Sequence, residues 1–318
     1  MSQNRFTPES TRLDDAARAG WLYYVAGNTQ DEIARKMGVS RQTAQRLVAM
    51  ALAERLVKVR LDHPIGRCMD LAAALRDRFE LATAEVAPSD PDAPELLTGI
   101  AIAAAAHLER VLKSPEQRII SLGTGRNLRA MVEQLPTMSC PQHIIVSRLG
   151  NMMQDGSATP YNATIRLAER IGAPHYPYPL PVLARDASEL AAMQAQQAAR
   201  NTIGLCARAD LSLVGIGQMD RTAPLHVDGF LPEADIKELA RAGAVGEITG
   251  WVYDSEGQII DCAFNRRVAS APLPPASERA VVALASGQAK VPAIRAALKG
   301  QLINGLITSE VTAEGLLE

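Results

Sequence analysis

The sequence predicts two domains of different class: an N-terminal all-α helix-turn-helix, with a short wing strand, and a C-terminal α/β domain with a mainly parallel sheet. Three observations carry this. Asn28 to Arg60 holds two capped amphipathic helices around a glycine. From residue 118 onward, short apolar runs alternate with helical stretches, as in a parallel sheet covered by helices. The charge is also uneven: residues 1–62 hold ten Lys/Arg against seven acids, a surplus of +3, in a 318-residue chain of net charge −2. A basic head on an acidic body suits nucleic acid at one end only. The boundary is placed between 1–62 and 63–318, and 47% hydrophobic residues are ample for two cores.

Residues 1–10 read as a loose arm. Asp14 to Val25 is a supporting helix, with Ala17, Leu22 and Val25 inward and Trp21, Tyr23 and Tyr24 as large packing groups. Thr29 caps the next helix and Glu32 completes a capping box. Gly38 supplies the turn, and Ser40 caps a second helix whose Ala44, Leu47, Val48 and Ala51 face inward. Arg41, Gln42, Gln45 and Arg46 then face out at its N-terminal end. Such a helix suits a DNA major groove, where Arg pairs with guanine and Gln with adenine. The plainer alternative, an αα-hairpin with a solvated face, is outweighed by the caps, the turn glycine and the Arg/Gln cluster together. Leu56 to Leu61 alternates as a short strand, with Lys58 and Arg60 placed for phosphates, and His63-Pro64 ends it. The candidate DNA contacts are Thr29, Ser40, Arg41, Gln42, Thr43, Gln45, Arg46 and Lys58, and the partner is double-stranded DNA.

Ile65 to Phe79 is an amphipathic helix, Ser89–Glu95 a loop, and Gly99 to Leu112 a helix apolar nearly all round. Strands are expected at 118–123, 143–150, 211–217, 280–286 and 302–308. Helices are expected at 128–135, 163–171, 187–207, 233–242, 291–298 and 309–317. Residues 248–260 read as a hairpin turning at Asp254-Ser255-Glu256-Gly257.

In such sheets ligands bind beyond the carboxyl ends of the strands. Three of these ends carry polar, glycine-rich loops. In the first, Gly123, Thr124 and Gly125 leave a strand while Arg126 and Asn127 open a helix, an anion cradle suited to phosphate. It lacks the Gly-Lys-Ser/Thr of a Walker loop and the third glycine of a dinucleotide fingerprint. A plain strand-to-helix turn explains that loop equally well. The second, 215–226, includes Gln218. The third, 285–298, sets Lys290 at a helix start, where the dipole opposes it unless an anion is near. Glu247 is a candidate hydroxyl acceptor.

An enzymatic constellation does not emerge. The five histidines show no metal spacing, and neither H-E-x-x-H nor G-x-S-x-G occurs. No catalytic residue, metal or cofactor is assigned. The competing class is a sugar-phosphate isomerase or deaminase with an appended head, using Glu247, Lys290 or Asp220. Cys68, Cys140, Cys206 and Cys262 form no C-x-x-C pair, and no run is long enough to span a bilayer, so a soluble cytoplasmic protein is expected.

Leu22-Tyr23-Tyr24-Val25, TQDEIARKMGVSRQTAQRL, SLGTGRNLRA, GAVGEITGWVYDSEGQII and ASGQAKVPAIRAALKGQLINGLITSEVTAEGLL together resemble the SorC/DeoR family of bacterial sugar-responsive transcription regulators, over almost the full length. The resemblance implies a helix-turn-helix joined to a domain folded like sugar-phosphate isomerases and glucosamine-phosphate deaminases. That domain binds a phosphorylated sugar, or a free sugar or polyol, as allosteric effector rather than turning it over. It implies phosphate at Gly123–Asn127 and sugar contacts from Lys290 and Glu247. It also implies homotetramers, typically dimers of dimers, bound to palindromic operators; from the residues alone the expectation is a homo-oligomer, dimer or tetramer. Family members usually carry Asp at the positions of Glu247 and Ser309, and often Val at that of Ala44. The extra methylene of Glu247 points to a different effector size or hydroxyl pattern.

Overall fold

A computed structural model describes residues 8–54, 56–57, 59, 65–93, 96–150, 152, 157–158 and 162–318. The chain divides into two units, 1–63 and 64–318.

The first unit contains α1 (Pro8–Tyr24), α2 (Gln30–Met37) and α3 (Arg41–Ala53). Helix α1 starts six residues before the expected Asp14, so residues 8–10 of the expected arm are helical and the rest of that arm lies outside the described residues; a proline at the first position loses no hydrogen bond. Its inward face is also different from that expected. Ala16 and Ala19 are fully buried whereas Val25 is 66% exposed. Small side chains let α3 approach closely, and they pack on Ile33, Ala34, Ala44, Leu47 and Val48. Thr29 and Glu32 form the capping box, Gly38 takes the left-handed conformation (φ 67°), and the Ser40 hydroxyl accepts from the Thr43 N–H. The expected wing strand falls largely on residues outside those described, as do Lys58, Arg60 and His63-Pro64.

The second unit runs α4 (Gly66–Phe79), β1 (Thr83–Ala87), α5 (Thr98–Leu112), β2 (Ile119–Leu122), α6 (Arg126–Gln134), β3 (Ile144–Ser147), α7 (Ala163–Ile171) and β4 (His175–Tyr176). There follow α8 (Ala187–Gln194), α9 (Gln197–Ala207), β5 (Leu211–Val214), β6 (Gly217–Gln218), α10 (Pro224–Val227), α11 (Glu233–Arg241), β7 (Gly246–Ile248) and β8 (Trp251–Tyr253). The chain ends with β9 (Ala280–Leu284), α12 (Val291–Lys299), β10 (Gly305–Ser309) and α13 (Glu310–Leu317). Among the described residues seven strands form a parallel sheet in the order β1-β10-β9-β5-β2-β3-β4, and β6-β7-β8 form a small antiparallel one. Both faces of the large sheet are covered. Val282, Leu284 and Ile307 pack with α5, α6 and α7, whereas Val281, Ala283 and Leu306 pack with α4, α12 and α13. Two-sided burial is why these strands read as unbroken apolar runs rather than alternating ones.

Several boundaries differ from those expected. The predicted helix 187–207 is broken at Ala195-Gln196. Leu190 and Ala199 are nine residues apart, half a turn out of phase on a continuous helix. The break lets both face one core with Leu205 and Cys206. The hairpin turns at Thr249-Gly250 (φ 51° and 91°), earlier than expected, and Asp254–Gly257 forms a second turn after β8. Two consecutive residues with positive φ match the right-handed twist of a tight hairpin. The edge strands β1 and β4 lie outside the strands expected from the sequence.

Arg148 follows β3 and is fully buried. Its guanidinium donates to the hydroxyls of Ser121 on β2 (3.1 Å) and Ser212 on β5 (3.3 Å), and to the carbonyls of Ala271 and Pro272. It thus ties two neighbouring strands to a loop through neutral oxygens. Arg148→Ala is expected to lower the stability of the α/β unit by about 3 kcal/mol, because it leaves buried acceptors without donors. Urea unfolding followed by far-UV circular dichroism checks this; a loss below about 1 kcal/mol would contradict it.

Candidate functional site

Two regions gather the residues singled out by the sequence. On the first unit, Arg41, Gln42, Gln45 and Arg46 are exposed, and Thr43 is half-buried. Ala44, Leu47, Val48 and Ala51 bury the opposite face of α3. Arg41 sits 3.5 Å from Asp31 on α2, both side chains well exposed, a pair of small energetic weight. The hydroxyls of Thr29 and Ser40 are engaged in capping: Thr29 bonds Glu32, and Ser40 bonds Thr43. These two residues therefore fix the helix starts.

The second region is a crevice in the α/β unit. After β2 the chain adds β3 and β4 on one side, then returns to place β5 on the other side of β2. Loops leaving adjacent strands part at such a switch point and open a crevice at their carboxyl ends. A cavity of about 460 Å³ lies there, lined by the loops after β2, β5 and β9 and by the β6–β7 ribbon. Of the eight sequence-predicted effector residues, Thr124, Gly125, Arg126, Asn127, Gln218, Glu247 and Lys290 line it. Gly123 does not. Its N–H donates to the carbonyl of Leu213 and so continues the sheet.

Local geometry explains these placements. Gly125 (φ 128°) lets the chain swing from β2 into α6, which points the helix N-terminus at the cavity. The Arg126 guanidinium pairs with Asp228 at 2.9 Å. The Asn127 amide donates to the carbonyl of Leu284 at the end of β9 (2.9 Å). Asn127 thereby straps the first loop to the third strand end. Lys290 ends a 3-10 turn and precedes α12, which carries proline in its first turn.

Glu247 stands on β7 opposite Gly217. A Cβ at Gly217 would meet its carboxylate at 2.4 Å, so glycine is what admits the acid there. One oxygen accepts from the Gly250 N–H at 2.8 Å. Loss of water is the largest influence on this carboxyl and pushes its pKa up. The Gly250 N–H and Lys290 draw it back, and Asp228 adds to the rise. Sequence reasoning missed Thr222, Asp228, Thr249 and Ser286, which also line the cavity. The rule that ligands bind at strand ends would have flagged Ser286, one residue beyond the apolar run of β9. Apolar walls come from Leu97, Leu128, Leu149, Val182 and Phe230.

The family described as "Putative sugar-binding domain" matches residues 63–318. The chain is 36% identical over 302 residues to the erythritol catabolism regulatory protein EryD of Brucella abortus (strain 2308), covering 95% of this chain and 96% of that protein. It is 30% identical over 333 residues to the transcriptional regulator LsrR of Klebsiella pneumoniae, covering 100% and 99%. The structure of the full-length sorbitol operon regulator SorC from Klebsiella pneumoniae is similar, with a TM-score of 0.70 and 26% identity over 97% of this chain and 100% of that one. Among the described residues no helix is long and apolar enough to cross a membrane.

Glu247→Gln tests the electrostatics. A carboxyl whose folded pKa lies above its ordinary value leaves stability intact below that value and removes it as pH rises through the folded one. The ligand-free variant should therefore melt above the intact protein at pH 7, and the gain should vanish below about pH 4.5. Equal melting temperatures at pH 7 would contradict this.

Proposed function

We propose that this chain, which belongs to the sugar-binding family of SorC/DeoR-type transcriptional regulators, controls a carbohydrate or polyol catabolic operon by binding operator DNA and a sugar-type effector. The relatives named above are regulators, which favours this function over a sugar-phosphate enzyme with an appended head. The observation that carries the effector half is the switch-point crevice, where seven of the eight predicted residues meet. Kinship of this unit with sugar-phosphate isomerase and deaminase folds is part of the same proposal.

Arg41, Gln42, Gln45 and Arg46 read base edges from α3, Thr43 and the caps at Thr29 and Ser40 set its entry, and Lys58 contacts phosphate. The effector lies in the crevice, with an anionic end at Gly125, Arg126 and Lys290 and hydroxyls toward Glu247. It acts as a ligand, without cofactor. The protein works in the cytoplasm as a dimer or tetramer, whose paired recognition helices meet half-sites about one helical turn, or a multiple, apart. Regulation requires the effector to bind the DNA-competent and DNA-incompetent assemblies unequally.

The test is fluorescence anisotropy at fixed salt on the DNA upstream of this protein's own operon, against random competitor, with a panel of sugar phosphates, free sugars and polyols. Specific binding changed by one compound is expected. Absence of any preference for that DNA would overturn the proposal. In the same assay Arg41→Ala should lose about 1–3 kcal/mol on the operator and much less on random DNA. Equal losses on both would contradict base reading by Arg41.

A further inference from the structure

Among the described residues, two side chains at the crevice each hold a buried polar atom without a hydrogen-bond partner. Gln218 is 8% exposed, Thr249 is 7% exposed, and both line the cavity. Among the described residues neither Gln218 Oε1 nor Thr249 Oγ1 has a hydrogen-bond partner. A buried polar atom left so carries a desolvation cost that a ligand can relieve.

The orientation of the Gln218 amide is fixed by a relay. Its Nε2 donates to the Thr222 carbonyl (3.2 Å), which can only accept. It also donates to Thr222 Oγ1 (2.9 Å), which in turn gives its proton to Asp220 Oδ1 (2.6 Å). With Nε2 committed, Oε1 is the free end, and it is purely an acceptor. Thr249 is held as firmly. It is β-branched yet adopts φ 51°, a conformation such residues avoid. Its carbonyl accepts from Ser270 Oγ (2.6 Å), and the next N–H, of Gly250, goes to Glu247. Valine, glycine or alanine at 249 would leave no hydroxyl at the cavity wall.

We propose that Gln218 Oε1 on β6 and Thr249 Oγ1 in the β7–β8 turn, with the Glu247 carboxylate on β7, form an acceptor-rich wall that reads the neutral hydroxyls of a polyhydroxylated effector. This rests on the effector function proposed above and adds the polarity of the bound molecule. A hydroxyl donates its proton to Gln218 Oε1; a phosphate oxygen, an ether oxygen or a deoxy carbon cannot. The wall therefore selects a chain hydroxylated along this side. Any phosphate it carries is directed to the opposite wall, at Gly125 and Arg126. Asp220 and Thr222 are positioning residues, acting through the Gln218 amide.

The test is isothermal titration calorimetry on the full chain with erythritol, xylitol, sorbitol, ribose 5-phosphate and fructose 6-phosphate. It is repeated on Thr249→Val, which keeps the branched shape, and on Gln218→Met. Melting curves without ligand check that both variants fold, and Thr249→Val carries the test if Gln218→Met does not. Against the compound that binds best, each folded variant should bind at least tenfold more weakly. A mono-deoxy analogue that binds the intact protein more weakly should lose little further affinity in the variant lacking its partner, because one contact is lost only once. Binding by Thr249→Val and Gln218→Met within twofold of the intact protein would overturn the hydroxyl-reading wall while leaving the effector function standing. Absence of binding by every compound to the intact protein would overturn both.

Discussion

The adjacency of β2 and β5 is the constraint on which the rest of the α/β unit depends. Because β3 and β4 extend the sheet one way and β9, β10 and β1 the other, the loops after β2 and β5 diverge. A cavity between diverging loops is structurally weak unless the strands beneath it are held together. Two side chains do this. Below the crevice, Arg148 bridges Ser121 and Ser212 across the two strands. At its floor, Asn127 ties the β2 loop to the end of β9. A lone buried guanidinium is costly to desolvate, and its hydrogen bonds to neutral oxygens are what offset that cost.

On this frame the walls of the crevice differ in chemistry. One carries the N-terminus of α6 with Arg126, the other the acceptors of the β6–β7 ribbon, and Lys290 and Asp228 complete a nearly balanced set of charges. Glu247 stands out energetically. It is kept where burial disfavours its charge, beside a glycine that alone makes room for it. An unfavourable acid in the ligand-free fold is free energy that a hydroxylated ligand can recover on binding, and this is the usual exchange of stability for function. For such binding to reach DNA, the effector has to bind DNA-competent and DNA-incompetent states unequally.

Much of this organisation was legible in the sequence, where local signals and tertiary demands agree. The caps at Thr29 and Ser40 and the turn at Gly38 are local, and they stand as expected. The central strands β2, β3, β5 and β9 were legible because burial on both faces writes a continuous apolar run. The edge strand β1, TAEVA, carries Glu85 for His107 instead, and that breaks the run. The break between α8 and α9 leaves no proline or glycine behind, since it answers only to where Leu190 and Ala199 must point. In the crevice, glycines and cations at strand ends announced themselves. Thr249 did not, because its importance lies in a positive φ and an unpartnered hydroxyl, neither of which a threonine in a hairpin declares. Gly123 misled for the opposite reason, since its N–H belongs to the sheet.

The central claim, that the switch-point crevice is where the effector acts, is tested most directly by hydrogen exchange on the full chain. Exchange would be measured with and without the panel compound that alters DNA binding. Slower exchange is predicted in three segments at once, 124–128, 215–218 and 286–291, together with the 247–250 turn. Protection confined to other parts of the α/β unit, with these four segments unchanged, would contradict the account.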